Sequence, residues 1–193
     1  MSSLVTSLII LILIIFNSDK LNLHPTINVA EAIPFSEYRN KIKTGDIIVL
    51  YNSGFTSSLV RIYDQSSATH AGVIIVENDK IYVCEIDFHT YFSSDVHTSD
   101  IDKFMTVQRC PYIGIIPIQK SLPIRLSDVE KINYKYDLTL GFCPLPGRVH
   151  CTMLVHRILS WYGIQPLNGA AEHETTPRTY YADPSIILLD YNR

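Results

Sequence analysis

Three residues of this chain have side chains that together could run acyl transfer: Cys151, His70 and Glu85. A thiol attacks a carbonyl as its thiolate, so it needs a base beside it, and the base needs a third group to hold it in one tautomer. No short motif joins the three, so the fold has to bring them together.

Cys151 falls at the start of an amphipathic pattern. After the Pro/Gly-broken run CPLPGR (143–148), apolar residues recur at Cys151, Leu154, Val155, Ile158, Leu159 and Tyr162, the i, i+3, i+4, i+7 rhythm of a helix with one buried stripe. Gly163 supplies a C′ residue and Pro166 blocks continuation, which predicts about three turns with the cysteine in the first. Free N–H groups and the positive end of the helix dipole favour a thiolate there. The plainer reading of Cys151 is a small buried hydrophobe.

His70 and Glu85 fall on two strand-like runs, Thr69–Val76 and Lys80–Asp87, separated by the Glu77-Asn78-Asp79-Lys80 turn, and so predict an antiparallel hairpin. Period-two alternation puts His70, Gly72, Ile74 and Val76 on one face and Ile81, Val83, Glu85 and Asp87 on one face of the partner. A turn centred near Asn78 sets His70 against Ile86 or Glu85, so an imidazole and a carboxylate become neighbours. Gly72 predicts a gap beside His70 that admits another side chain, such as a helix start. Taken singly, His70 reads as a strand-end histidine and Glu85 as a solvated carboxylate; together, inside apolar strands, they call for partners. Of the seven histidines, His24 lies in a tether, His89, His97 and His173 in polar loops, and His156 on another helix face. His150 adjoins Cys151 and points away from it, flanking the cleft.

The remaining chain bounds the class. At 193 residues it holds one ordinary domain plus an appendage. A net charge of −3 with no basic run gives nucleic-acid binding no support. Residues 4–16, LVTSLIILILIIF, carry no acid or base and are directed at a membrane. They are short for a full span of ~20 residues, and a cleaved signal is the alternative to an uncleaved anchor, with secretion as its consequence. The expected division is 1–20 anchor or signal, 21–34 tether, and 35–193 a folded domain. Within it, residues 47–51 read as a strand covered on both faces, 104–110 and 112–118 as edge strands, Ser127–Ile132 as a capped helix, and Ser185–Leu189 as a last strand. The four cysteines make no scaffold, although a Cys84–Cys110 bridge stays open.

In order along the chain, TGDIIVLY, THAGVII, a strand ending in Glu85, KYDLTLGF, HCTMLVHRIL and TPRTYY resemble the circularly permuted NlpC/P60 (papain-like) superfamily. Within that superfamily the pattern resembles the YiiX/YaeF-type hydrolases and their poxvirus relatives. The resemblance covers about Lys43 to Leu189 and implies an α+β fold, with a central antiparallel sheet packed against the helix that bears the nucleophile. It implies Cys151 as nucleophile, His70 as base, Glu85 as the group orienting the imidazole, and Tyr136, Asp137 and His150 as shapers of the cleft. No cofactor and no metal are implied; the partners are a peptide, amide or lipid-ester substrate and a membrane. Where the family commonly has aromatic-Cys-Ser-Glu-Leu-Val, this chain has His150-Cys151-Thr152-Met153-Leu154-Val155. Three alternatives stay open: a lipid acyltransferase or lipase, as in lecithin:retinol acyltransferase-like relatives; a non-catalytic membrane-anchored binding protein; and a zinc site of His70, Glu85 and Cys151.

Overall fold

The structure is a computed structural model that describes residues 28–51, 57, 60–61, 64–87, 95–108, 110–137, 146–165, 172 and 175–193. The apolar segment 4–16, His24, His89, Cys143 and His173 lie outside the described residues. No helix among the described residues is long and apolar enough to cross a membrane.

In chain order the elements are β1 (Ile33–Pro34), α1 (Phe35–Tyr38), β2 (Ile47–Leu50), β3 (His70–Glu77), β4 (Lys80–Ile86), β5 (Val96–Asp100) and α2 (Ile101–Gln108). They continue with β6 (Tyr112–Ile116), α3 (Leu126–Val129), β7 (Lys135–Tyr136), β8 (Arg148–Val149), α4 (Cys151–Trp161), α5 (Pro177–Tyr181) and β9 (Ile187–Asp190). Seven strands form one sheet in the order β1-β9-β6-β2-β3-β4-β5, antiparallel except for β1 against β9. The parallel pair β7–β8 stands apart and leads directly into α4.

The central strands read as unbroken apolar runs because both faces of the sheet are covered. On one face Val49, Val73, Ile75, Cys84 and Ile86 pack with Leu154, Val155, Ile158 and Leu159 of α4. On the other, Ile48, Leu50, Ile74, Val83 and Ile113 meet Phe35 and Tyr38 of α1 and Ile101, Phe104 and Met105 of α2. Cys84 belongs to the first layer and Cys110 to the second, both as free thiols, so the sheet separates them and they form no bridge.

Two expected edge strands are corrected. Residues 104–108 belong to helix α2, whose buried residues Ile101, Phe104, Met105 and Gln108 follow the helical period from a start three residues before the expected strand. The Asp100 carboxylate receives the Asp102 N–H at 2.9 Å and so serves the helix start. β6 is a strand, but an interior one between β2 and β9. Pro111 and Pro117 flank it, so neither removes a ladder donor from within. Ile33 and Pro34, from the stretch expected to be tether, pair with Leu189 and Asp190 and join the sheet.

The Thr44-Gly45-Asp46 turn locks the entry to β2. Gly45 has φ +100°, and a Cβ there would come within 2.4 Å of Ile118 Cδ1. The buried Asp46 carboxylate accepts the N–H of Lys43 at 2.8 Å on one oxygen and of Ile118 at 2.9 Å on the other. Burial still pushes its pKa up, despite those two donors and the Lys43 charge.

Candidate functional site

The hairpin turn is two residues long, with Asn78 at φ 52° and Asp79 at φ 60°, the left-handed pair that suits the strand twist. Glu77 therefore faces Lys80, and pairing runs to Val73 against Cys84. β3 runs on to His70 against β2 and β4 runs on to Ile86 against β5, but the β3–β4 ladder stops short of both, so it does not set the expected facing of His70 with Ile86 or Glu85. The side chains meet beyond it: His70 Nε2 lies 2.5 Å from Glu85 Oε2, both residues buried. The gap expected above Gly72 is not open to a helix, because a Cβ there would meet Val83 at 2.8 Å and the Cys84 carbonyl at 2.9 Å.

Cys151 is the first residue of α4, capped by His150 in extended backbone at φ −96° and ψ 174°. The helix closes as its sequence predicts. Gly163 takes φ +71°, its N–H bonds Ser160 O at 3.0 Å, and the Ile164 N–H bonds Leu159 O at 3.1 Å. The Cys151 thiol lies close enough to the His70 ring for their charges to act on each other. Because Glu85 holds Nε2 of that ring, Nδ1 is the nitrogen left for the sulfur.

The electrostatics follow from these contacts. Burial alone would raise the Cys151 thiol; the His70 charge, the hydrogen bond from His150 and that from His70 outweigh it and bring the thiol down to about 6. Burial alone would likewise lower His70; the Cys151 charge and hydrogen bond, then those of Glu85, hold it well above its usual value. Each charge favours the other, the setting that disposes a cysteine to react as its thiolate. Glu85 is lowered to about 2: burial opposes its charge, but hydrogen bonds from His70 and His97 overcome that.

His97 is a partner the sequence did not disclose. It stands on β5 directly opposite Glu85, with Nε2 at 3.3 Å from Glu85 Oε1, while its Nδ1 meets the Asp95 carbonyl at 3.1 Å. The polar stretch around it has no apolar alternation, so nothing in the sequence marked it as strand. The hydrogen bond to Glu85 raises its pKa against a lesser burial effect.

His150, read as pointing away, is buried with Nδ1 2.8 Å from Thr152 Oγ1, and its charge reaches the thiol, because an N-cap residue lies off the helical path. Tyr136 and Asp137 are brought up by β7, whose pairing of Tyr136 with Val149 runs straight into His150. Both are buried, and the Asp137 N–H bonds Val149 O at 2.8 Å. Burial first, then the Cys151, Asp87 and Asp137 charges, push the Tyr136 phenol up. Tyr180 of α5 donates its hydroxyl to Thr152 O at 3.3 Å.

His70, Glu85 and Asp87 also present ligand atoms within 4.8 Å of one another, a donor set that zinc accepts by type. The arrangement does not suit it. With ~2.05 Å metal bonds, a nitrogen and an oxygen 2.5 Å apart subtend about 75°, far below a tetrahedral angle. The pair is a charge-assisted hydrogen bond as it stands.

No family model matches the chain, and no curated protein matches it. Among solved structures it is similar to the metalloprotein yiiX from Escherichia coli O157:H7 (DUF1105), with a TM-score of 0.56 and 15% identity over 77% of this chain and 97% of that one. The two share a fold: α+β, with a large, mostly antiparallel sheet.

Proposed function

We propose that the chain is a thiol hydrolase of the permuted NlpC/P60 (papain-like) kind, cleaving an amide or ester through a Cys151 thioester. The observation that carries this reading is the row Glu85, His70, Cys151: a carboxylate 2.5 Å from one imidazole nitrogen and a thiol against the same ring. Thiolate attack forms the C–S bond and moves charge onto the carbonyl oxygen. Backbone N–H groups in the first turn of α4, which no side chain caps, face that oxyanion. Collapse breaks the bond to the leaving group, which takes its proton from the His70 imidazolium. Water then attacks the thioester, giving a proton to His70, and the C–S bond breaks to release the acid and leave the Cys151 thiolate beside the imidazolium. Glu85 keeps the ring oriented throughout. The segment 4–16 would hold the domain at a membrane surface, where lipid esters as well as peptide amides are within reach.

The test is turnover of γ-glutamyl and peptidoglycan-type peptides beside phospholipid vesicles, with intact mass recorded during the reaction. An acyl adduct on Cys151, lost in Cys151→Ala, together with a rate ~100-fold or more lower in His70→Asn, supports the reading. Turnover unaffected by Cys151→Ala, or no adduct with any substrate, overturns it in favour of a binding protein.

A further inference from the structure

Each ring nitrogen of His97 faces a group that can only accept. Nε2 lies 3.3 Å from Glu85 Oε1, and Nδ1 lies 3.1 Å from the Asp95 carbonyl oxygen. A carbonyl has no proton to give. Glu85 has none either: its carboxyl is held at about 2, and its other oxygen meets His70 Nε2 at 2.5 Å. A neutral imidazole carries one N–H and one lone pair, and that lone pair would repel whichever oxygen it faced. Both contacts hold together only when both nitrogens carry protons, so the arrangement is that of an imidazolium.

The sheet makes this placement. His97 pairs with Glu85 across the β4–β5 ladder, so the two side chains leave one face as direct cross-strand neighbours. Glu85 is thereby engaged on both oxygens, by His70 on one and His97 on the other, and a carboxylate held at both ends does not turn. The side chains of His70 and Glu85 are 9% and 4% exposed, whereas that of His97 is 34% exposed. Of these three, His97 is the one that meets solvent.

We propose that His97 is a positioning residue for His70, an imidazolium that clamps Glu85 Oε1 so that Oε2 stays on His70 Nε2, and that through its proton the pH of the solvent acts on the buried pair. The inference rests on His70 being the base of the proposed site. In the step, one N–H bond of His97 breaks and the proton passes to water or hydroxide, leaving a neutral ring with one N–H for two acceptors. One contact then sets lone pair against lone pair and opens. The pKa of His97 is raised, chiefly by the Glu85 hydrogen bond, so the clamp is complete below the ordinary histidine value of about 6.5 and is lost as pH rises through the folded one.

The charged groups around His97 come from several elements. β4 supplies Glu85 and, just past its end, Asp87, whose carboxylate receives the Gln108 amide of α2 at 3.3 Å. Ahead of β5, Asp95 pairs with Lys135 of β7; at its end, Asp100 takes the Asp102 N–H. Asp102 of α2 accepts the Tyr191 hydroxyl, and Asp128 of α3 takes the Arg125 N–H and Lys131. Each of these outlying acids is engaged by another donor, and Glu85 is the carboxylate against the ring.

The test is nitrogen-15 NMR of the histidine rings in the full chain across neutral pH, with His97→Ala and His70→Asn assigning the signals. Both His97 nitrogens should be protonated at about pH 6, with a midpoint above ~6.5 that falls to or below ~6.5 in Glu85→Gln. The His70 ring signals should show a step at the His97 midpoint, and that step should vanish in His97→Lys, which keeps a cation in place. Carbamidomethylation of Cys151 at about pH 6 should slow by about threefold or more in His97→Ala and recover in His97→Lys. A bare His97 nitrogen at about pH 6, an unmoved midpoint in Glu85→Gln, or a His70 ring indifferent to His97 overturns the inference. The wild-type titration needs no variant, so it decides even where a substitution does not fold. Ring signals are read without substrate, so failure of the hydrolase reading is seen separately in the turnover assay.

Discussion

His70 Nε2 and Glu85 Oε2 meet at 2.5 Å, beyond Val73 and Cys84, the last residues that pair β3 with β4. A carboxylate against an imidazole makes a charge-assisted hydrogen bond, and burial of both residues removes water as a competitor. Glu85 therefore does two jobs: it fixes the ring and keeps a buried imidazolium paired.

Glu85→Gln should weaken both. Glu85 is held at about 2, below the ~4.3 of an unfolded glutamate. Its depressed pKa contributes stability that is complete above the unfolded value and disappears as pH falls through the folded one. Urea unfolding between pH 7 and pH 2 should show wild type losing stability steeply below about pH 4.3, and the variant with a shallower slope. Parallel slopes would mean that Glu85 titrates alike in both states.

His97 grips the other oxygen of Glu85, so His97→Asn should let the carboxylate rotate and slow Cys151 labelling at neutral pH. In a Glu85→Gln background the same change should matter little. A double-mutant cycle should return a coupling of about 1 kcal/mol, and additive effects would separate His97 from the site.

Asp46 accepts one backbone N–H on each oxygen, a pattern that an amide cannot reproduce because half of it donates. Asp46→Asn should cost about 1–3 kcal/mol in denaturant unfolding and leave native-state labelling of Cys151 unchanged. Unchanged stability would show that the turn holds without this clamp.

Cys151 keeps only 7% of its surface exposed. Iodoacetamide should label it readily, whereas a maleimide bearing a large fluorophore should react much more slowly, relative to the same two reagents on a free cysteine. Equal relative rates would mean that the thiol is more open than its packing indicates.

The hairpin and the helix were legible because each rests on local signals: a two-residue turn, a 3.6-residue period and a glycine after the helix. His150 was misjudged because adjacent residues on a regular helix diverge, whereas a cap residue lies off the helix. Residues 104–108 were misread because a window opening at Phe104 cuts off Ile101, the first member of the buried stripe. β6 looked like an edge because prolines flank it, and only the return of β9 shows that it is interior. His97 had no local signal, since its partner is a carboxylate on another strand.

The far margin of the sheet bears on how the protein would be held. β1 joins through β9, β6 and β2 to β3, four interstrand steps of ~4.8 Å, or about 19 Å. A tag, support or bilayer pulling on the chain ahead of Ile33 would tug at a strand remote from the sulfur and shielded from it by the interior ladder. Load applied there should peel β1 from β9 long before it disturbs the imidazole, which makes that end the safer handle for immobilisation.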